Sequence, residues 1–313
     1  MEPTRRQVLA AVFAAAGLAV LPGCGTPFAG VRLRIATGST AGEYYRLGRA
    51  LAAVWQERLD LAEPPAVLST NGSPANVSLL VTGAAEVAVS QLDVAADRTT
   101  GESSLRALAA IYNDALQIVV PAGSAIRAVA DLRGARVAVG TENSGVAYVA
   151  LRVLAAAGLA GEDAVRRARL DLAGSVAALR AGEIDAFFWV GALPTRTVDE
   201  LAAAVPVRLL DLEPLLGTLR ARYPVYTPGT VLAGTYRIED PVVTLLVRNV
   251  LLVDATLDAD LVEAMTGAVF AEQQRLAEAT QAARTVDARS AVLTQPVALH
   301  DGALRWFSKD AMA

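Results

Sequence analysis

The chain has 313 residues, a formal net charge of −4, one Cys, one His and a hydrophobic fraction of 54%. One Cys excludes an internal disulfide, and a chain with one His cannot build a Cys/His zinc cluster. The mild acidity argues against a nucleic-acid partner, because phosphate binding needs a basic surface, and the length suits about two domains of roughly 150 residues each.

The first 23 residues have the composition of an export signal. Arg5 and Arg6 precede the apolar residues 8–20, a run that is shorter than the roughly 20 residues needed to span a membrane. The letters LPGC at 21–24 resemble a lipobox, in which the Cys is acylated and becomes the mature N-terminus. We predict a signal peptide over 1–23 and lipidation of Cys24. A plain cleaved signal is the alternative, and both Sec and twin-arginine export remain open.

Short apolar runs alternate with amphipathic helical patterns through the rest of the chain. In order, the patterns predict strand 31–36, helix 43–59, strand 66–70, a helix containing 76–80, strand 86–90, strands 105–112 and 116–120 on either side of a turn, strand 136–140, helix 146–157, strand 170–172, helix 176–181, and strands 184–190 and 242–253. This alternation is typical of a largely parallel α/β sheet with helices on both faces. We expect a discontinuous first lobe, 31–120 plus 223–313, a second lobe, 121–222, and a ligand cleft at the carboxyl ends of the strands.

Three loops share one design. TGSTAG at 37–42, NGS at 71–73 and TENSG at 141–145 each follow a predicted strand and open a helix. The free N–H groups and the dipole at a helix N-terminus favour an anion by roughly 0.3–2 kcal/mol. Ordinary capping of helices by Ser, Thr and Asn is the alternative interpretation.

The motifs of common cofactor and metal sites are missing from the sequence. The first loop has neither phosphate-binding glycine motif, and the acidic residues form no D-x-D or E-x-x-H cluster. A secreted hydrolase would have to use His300, for which we favour a structural role. We therefore expect no enzyme activity, no catalytic residue, no cofactor and no bound metal. Aromatic residues near strand ends could wall a pocket: Tyr44, Tyr45, Tyr112, Trp189, Tyr223 and Tyr226.

The order and spacing of several short segments are specific. These segments are 36–45, 70–76, 89–94, 108–112, 131–134, 137–140, 143–145, 182–187, 191–194, 223–226 and 299–305. Together they resemble the TAXI family of TRAP-transporter solute receptors over nearly the whole mature chain. Two departures concern local turns: Val231-Leu232 stands where the family often has Ile-Pro, and Asp301 stands where Pro is usual.

The resemblance implies a type II periplasmic-binding-protein-like fold, with two α/β lobes hinged around a ligand cleft. It implies an extracytoplasmic, lipid-anchored receptor that captures a small carboxylate or amino acid, glutamate-like, for a TRAP permease. The binding residues implied by position are Ser39, Thr40, Gly42, Tyr45, Gly72, Ser73, Asn76, Ser90, Gln91, Thr141, Ser144, Gly145, Trp189 and Pro194. A binding protein that reports to a membrane sensor kinase is the alternative, with the same fold and pocket.

Overall fold

The computed structural model describes residues 27–40, 42–99 and 104–310. The predicted signal peptide and Cys24 lie outside the described residues, so both stay predictions. Within the described residues, no helix combines the length and the apolar character needed to cross a membrane.

The first lobe begins with strands and helices in alternation. These elements are β1 (Arg34–Ala36), α1 (Glu43–Arg58), β2 (Ala66–Leu68), α2 (Ser73–Val81), β3 (Val87–Gln91) and α3 (Leu92–Ala96). In α1, Leu47, Leu51 and Val54 recur at helical spacing and are buried together with Trp55. Trp55 Nε1 donates a hydrogen bond to Met265 O at 3.1 Å, so its polar group is satisfied inside the core.

A 17-residue strand, β4 (Leu105–Pro121), leads into the second lobe. The elements that follow are β5 (Arg136–Ala138), α4 (Gly145–Ala156), β6 (Arg166–Ala168), α5 (Leu172–Arg180), β7 (Ala186–Gly191), α6 (Arg196–Ala204), β8 (Val207–Leu209), α7 (Glu213–Arg222) and β9 (Thr227–Val231). Ser144 and Asp171 cap α4 and α5, because each side chain accepts a hydrogen bond from a backbone N–H of the first turn. Gly158 and Gly182 follow these helices with φ of 73° and 69°, the left-handed conformation that glycine adopts most easily at a helix end.

A second long strand returns the chain to the first lobe. The elements are β10 (Val242–Asp254), α8 (Ala259–Ala271), α9 (Gln273–Ala279), α10 (Ala288–Ala291) and α11 (Asp301–Asp310). Short 3-10 turns occupy Val129–Leu132, Glu162–Ala164, Thr235–Arg237 and Gln281–Thr285.

The ten strands in the described residues form one continuous sheet. Its order is β2-β1-β3-β10-β4-β7-β5-β6, with β8 beside β4 and β9 beside β10. β1 is parallel to β2 and β3, and β5 is parallel to β6 and β7. β4 and β10 run antiparallel to each other and to β7 and β3, respectively. Both lobes therefore share the two long strands that connect them.

Each lobe has a core on both faces of its part of the sheet. In the first lobe α1 and α8 pack on one face and α2 on the other, and in the second lobe α4 and α6 lie on opposite faces. Along β4 the packing changes lobe between Tyr112 and Leu116, and along β10 between Val247 and Val250. The domain boundaries at 120/121 and 222/223 stay predictions, and this packing favours crossing points in the middle of both strands.

The α/β class with helices on both faces is confirmed, but three more detailed expectations are wrong. Residues 113–115 form no turn, because Asn113 pairs with Arg248 and Asp114 with Val247, and this ladder keeps turn-forming residue types extended. Residues 170–172 are not a strand, since the strand is β6 and α5 begins at Leu172. The sheet is mixed rather than largely parallel, because the two connecting strands run against their neighbours.

Candidate functional site

The three predicted loops converge where the lobes face each other. Thr70 N–H donates to Gly38 O at 3.3 Å, and Ser69 Oγ donates to the same oxygen at 3.1 Å, which joins the loops that follow β1 and β2. Across the interface, a Cβ added to Gly72 would lie 3.7 Å from the backbone N of Gly145. The N-termini of α2 and α4 therefore meet at the lobe interface.

Ser73 and Gln91 form the first-lobe side of this contact. Ser73 Oγ accepts a hydrogen bond from the Gln91 backbone N–H at 2.9 Å. The Gln91 side chain reaches Gly145, where an added Cβ would lie 2.7 Å from Gln91 Cδ, so an alanine at residue 145 would force this side chain to shift. Gln91 Oε1 is buried and has no hydrogen-bond partner among the described residues. An unsatisfied buried acceptor costs about 1–3 kcal/mol.

A chain of buried and half-buried polar side chains runs from Ser73 to the two connecting strands. Tyr44 OH lies 3.2 Å from Ser73 Oγ and donates to Asn249 Oδ1, while Asn249 Nδ2 donates to Asp114 Oδ2 at 2.9 Å. Burial raises the pKa of Asp114 to about 7, although the hydrogen bond from Asn249 acts in the opposite direction. Burial also raises the pKa of Tyr44 well above its usual value, so its hydroxyl remains protonated and can donate.

A cavity of about 300 Å³ lies between the lobes beside the middle of β4. Its first-lobe wall consists of Tyr112, Asn113 and one face of the turn Gln281–Thr285. Its second-lobe wall consists of Ala115, Ala192, Leu193 and Leu246. Among the described lining residues, Arg284 is the one with a charged side chain. Most of the lining is therefore apolar, with one cation at its rim.

A second interlobe contact joins α3 and α4. Arg152 of α4 pairs with Asp93 and Asp97 of the first lobe, and Tyr148 OH also donates to Asp97. The Arg152 guanidinium lies 4.4 Å from the ring centre of Tyr148. Cation–π contact and ion pairing thus act on the same side chain.

The predicted binding residues fall into three groups. Those at the interface between α2, β3 and α4 are Gly72, Ser73, Gln91, Thr141, Ser144 and Gly145. Those in the loop after β1 or in the first turn of α1 are Ser39, Thr40, Gly42 and Tyr45, of which Ser39 and Thr40 are exposed. Those elsewhere are Asn76, Ser90, Trp189 and Pro194. The predicted residues remain proposed contacts, and the cavity lining contains none of them.

Three members of the third group form side-chain hydrogen bonds, and each bond stays within the lobe of that residue. Asn76 Nδ2 donates to Val89 O at 2.7 Å, and Ser90 Oγ donates to Gln91 O at 3.0 Å. Trp189 Nε1 donates to Thr195 Oγ1 at 3.0 Å, within the second lobe. These bonds hold the strand ends and loops in place.

Sequence reasoning did not assign the polar residues of the connecting strands or the cavity cation. Asp114 and Asn249 interrupt apolar strands, and such an interruption in a buried strand is a usable signal for a polar site. Arg284 lies in an irregular segment of the first lobe, and no local pattern distinguishes it from other arginines.

His300 is buried immediately before α11. Its Nδ1 accepts from Gly302 N–H at 3.1 Å, and its backbone N–H donates to Ala107 O at 2.8 Å, at the start of α11. Across the described ranges, no group of three or more His, Cys, Asp or Glu residues could hold a metal ion.

The sequence can also be compared with known families. A model described as the NMT1-like family matches residues 35–309, which include every strand from the second residue of β1 onwards. The chain belongs to the NMT1-like family. The matched range contains the interlobe cavity, the polar chain from Ser73 to Asp114 and the contact between Gln91 and Gly145.

Solved structures with a similar fold come from several bacteria. This NMT1-like protein aligns with XAC2383 from Xanthomonas citri, determined bound to ATP, at 13% identity over 88% of this chain and 98% of that chain, with a TM-score of 0.57. A protein from Bordetella bronchiseptica RB50 aligns at 16% identity over 88% of each chain, with a TM-score of 0.52. The periplasmic aliphatic sulphonate binding protein SsuA from Escherichia coli aligns at 17% identity over 89% of this chain and 82% of that chain, with a TM-score of 0.48.

At these identities the likenesses concern the fold alone. The two lobes, the shared central strands and the cleft between them confirm the expected two-lobed fold of the type II periplasmic-binding-protein kind.

Proposed function

We propose that this NMT1-like protein is an extracytoplasmic solute-binding receptor that captures a small carboxylate or amino acid between its lobes. The observation that carries the proposal is a cavity with walls from both lobes, beside the two strands that connect them. A solute in this cavity contacts both lobes at once, so its binding favours the closed arrangement. A shift from 1:99 to 99:1 closed protein requires about 5.5 kcal/mol of preference for the closed state.

The helix starts at the interface support an anionic solute. α2 and α4 begin beside Gly72 and Gly145, and the partial positive charge of each N-terminus favours a carboxylate by roughly 0.3–2 kcal/mol. Gln91 Oε1, buried without a partner in the described residues, would accept a hydrogen bond from a solute N–H or O–H group. Ser73, Gln91, Ser144 and Gly145 stay proposed contacts, although they lie at the lobe interface and not in the cavity lining.

The proposed partner is a TRAP-type permease, and the proposed solute is glutamate-like. Both assignments rest on the sequence resemblance to TAXI receptors. Neighbouring genes test the partner: a multi-span permease gene supports transport, whereas a sensor kinase gene would support signalling instead. Lipidation is tested by the mass of the N-terminal peptide and by Cys24→Ser, which is expected to release the protein from membranes.

Ligand capture is tested with the purified protein. Native mass spectrometry identifies a solute that the protein retains, and thermal-shift measurements compare amino acids, monocarboxylates and dicarboxylates. A true ligand at one hundred times its Kd is expected to stabilise the fold by about 2.7 kcal/mol. The absence of both a retained solute and any stabilising compound would contradict the proposed function.

A further inference from the structure

We propose that the interlobe cavity takes an organic monoanion with an apolar body, and that Arg284 binds the anionic group. This proposal rests on the proposed solute-binding function and narrows its ligand class. Carboxylates with a hydrocarbon or aromatic body fit this cavity, whereas free amino acids, including the glutamate-like solute implied by the sequence resemblance, do not.

Arg284 has no competing partner in the part of the chain that the structure describes. It lies in the turn Gln281–Thr285 and lines the cavity, and its side chain forms no hydrogen bond or ion pair with another described residue. Arg275, nearby in sequence, is paired with Glu57 at 2.6 Å, and Arg248 donates to Leu293 O at 2.7 Å. A guanidinium offers a planar set of N–H donors that matches the two oxygens of a carboxylate.

Tyr112 is a second lining residue with a donor that has no partner in the described residues. Tyr112 is 5% exposed, and this donor is its buried hydroxyl. Burial, assisted by the nearby charge of Asp114, raises the pKa of Tyr112 well above its usual value. The hydroxyl therefore keeps its proton, and a solute oxygen would satisfy it.

The apolar part of the lining comes mainly from the second lobe. Ala115, Leu193 and Leu246 present hydrocarbon to the cavity from that lobe, while Arg284 belongs to the first lobe. A solute with a charged end and an apolar body would therefore contact different lobes with its two parts. Such a solute should stabilise the closed arrangement of the lobes more than a small inorganic anion bound to Arg284 alone would.

A solute ammonium would find no carboxylate in this cavity. The described lining residues include no Asp or Glu. Glu43 and Asp114, whose charges act on Tyr112, already have partners: Glu43 binds Arg46, and Asp114 accepts from Asn249 at 2.9 Å. Burying an ammonium without a paired anion is costly, which disfavours zwitterionic amino acids.

The test compares matched probes by isothermal titration calorimetry. Benzoate and hexanoate carry the anion and the apolar body, benzamide and hexanamide keep the body without the charge, and phenylalanine and glutamate add an ammonium. The variants of the full chain are Arg284→Gln, which removes the cation, and Ala192→Phe, which fills the cavity. Arg220→Gln is the matched control, because Arg220 lies exposed in α7 and outside the cavity lining.

We expect the carboxylates to bind and their amides to bind at least about tenfold more weakly, since a hydrogen-bonded charge contributes more than a neutral group. Arg284→Gln should weaken carboxylate binding roughly tenfold to a hundredfold. Ala192→Phe should abolish binding, and Arg220→Gln should change nothing. Tyr112→Phe should weaken carboxylate binding while leaving the melting temperature within a few degrees of the wild type.

The outcomes separate this inference from the proposed function. Glutamate or another solute that binds equally well to wild type, Arg284→Gln and Ala192→Phe would overturn the inference and leave the receptor function intact. A retained solute without an anionic group would do the same. A protein that binds none of the probes and releases no solute would overturn both proposals.

Discussion

Arg152 of the second lobe and Asp93 of the first lobe form a buried ion pair, with Nη1 3.4 Å from Oδ2. Tyr226 OH donates to the same carboxylate oxygen at 2.6 Å, and Arg152 Nη2 donates to Asp97 Oδ2 at 2.6 Å. Burial lowers the pKa of Arg152, but Tyr226 and Asp93 more than offset this, so the guanidinium remains charged. The ion pair therefore ties α4 to α3 across the interface between the lobes.

Replacing Arg152 should both destabilise the protein and loosen the lobe contact. Arg152→Met leaves the Asp93 carboxylate buried without its cation, a change that typically costs about 3–5 kcal/mol. We expect a loss of this size in urea unfolding, together with a larger radius of gyration in small-angle scattering.

Arg275→Met is the control for this substitution. Arg275 pairs with Glu57 at 2.6 Å, but both side chains are well exposed and belong to the first lobe. Its loss should cost no more than about 1 kcal/mol and leave the radius of gyration unchanged. Equal effects of the two substitutions would show that the pair between the lobes has no special role.

Gly302 should tolerate no side chain. An added Cβ would overlap Ala259 O and lie 2.8 Å from the backbone N of Glu263, because the first turn of α11 contacts the start of α8. Since backbone atoms cannot move aside, Gly302→Ala should destabilise the protein by at least about 2 kcal/mol. Gly217→Ala, in α7 with open space around it, should instead stabilise by about 0.5–1 kcal/mol. Similar unfolding midpoints for the two variants would contradict this packing.

Asp114 should make the stability depend on pH. Its pKa is about 7 in the folded protein, whereas an unfolded Asp has a pKa of about 3.9, so the folded state holds an extra proton between these values. The free energy of unfolding should therefore fall as the pH rises from about 4 to 7, by up to about 4 kcal/mol for pKa values this far apart.

Asp114→Asn should remove this dependence, because an amide can still accept the hydrogen bond from Asn249 and does not titrate. The variant should be more stable than wild type above pH 7, as measured by urea unfolding at several pH values. Asp131 should contribute a pH dependence of opposite sign, because hydrogen bonds from the backbone N–H groups of Arg127 and Ala128 lower its pKa in the folded state. Asp131→Asn should therefore remove stability that the wild type has at neutral pH and loses as the pH falls through the folded-state pKa. Parallel profiles for wild type and Asp114→Asn would show that Asp114 is not the titrating group.

Ser73 and Ser144 should differ in how much they contribute to the stability of the fold. Ser73→Ala leaves the buried N–H of Gln91 without an acceptor and should cost about 1–3 kcal/mol. Ser144→Ala removes the N-cap of α4 and should cost about 1 kcal/mol. Both should also weaken solute binding, because they lie where the helix starts face the interface. Asp171→Ala removes the cap of α5 and serves as the control, which should lose stability and keep solute affinity.

Much of the fold is predictable because local pattern and tertiary packing agree. The helical spacing from Glu43 predicts α1 to within one residue of its observed end at Arg58. The pattern fails at Asn113 and Asp114, whose turn-forming preference is overridden by pairing with β10 on one side of the strand.

The candidate site is less predictable, because its members come from distant parts of the chain. The loops at Gly72 and Gly145 are recognisable, since a strand, a polar turn and a helix follow one another locally. Arg284 and Leu193 are far apart in the sequence but line the same cavity in the folded protein. No pattern of residue spacing in the sequence predicts that these two residues lie close together.

Gln91 and Gly145 meet across the lobe interface, so a substitution at residue 145 tests how the lobes close. A Cβ at residue 145 would lie 2.7 Å from Gln91 Cδ and 2.8 Å from Nε2. Because Gln91 is buried and has little room to move aside, Gly145→Ala should hold the lobes apart. The expected results are a larger radius of gyration and weaker solute binding, with little change in the helix content. Gln91→Ala in the same chain removes the overlapping side chain, so the double variant should recover the wild-type radius of gyration. Non-additivity of this kind identifies direct contact, whereas an unchanged radius in Gly145→Ala would mean that Gln91 moves aside without opening the lobes.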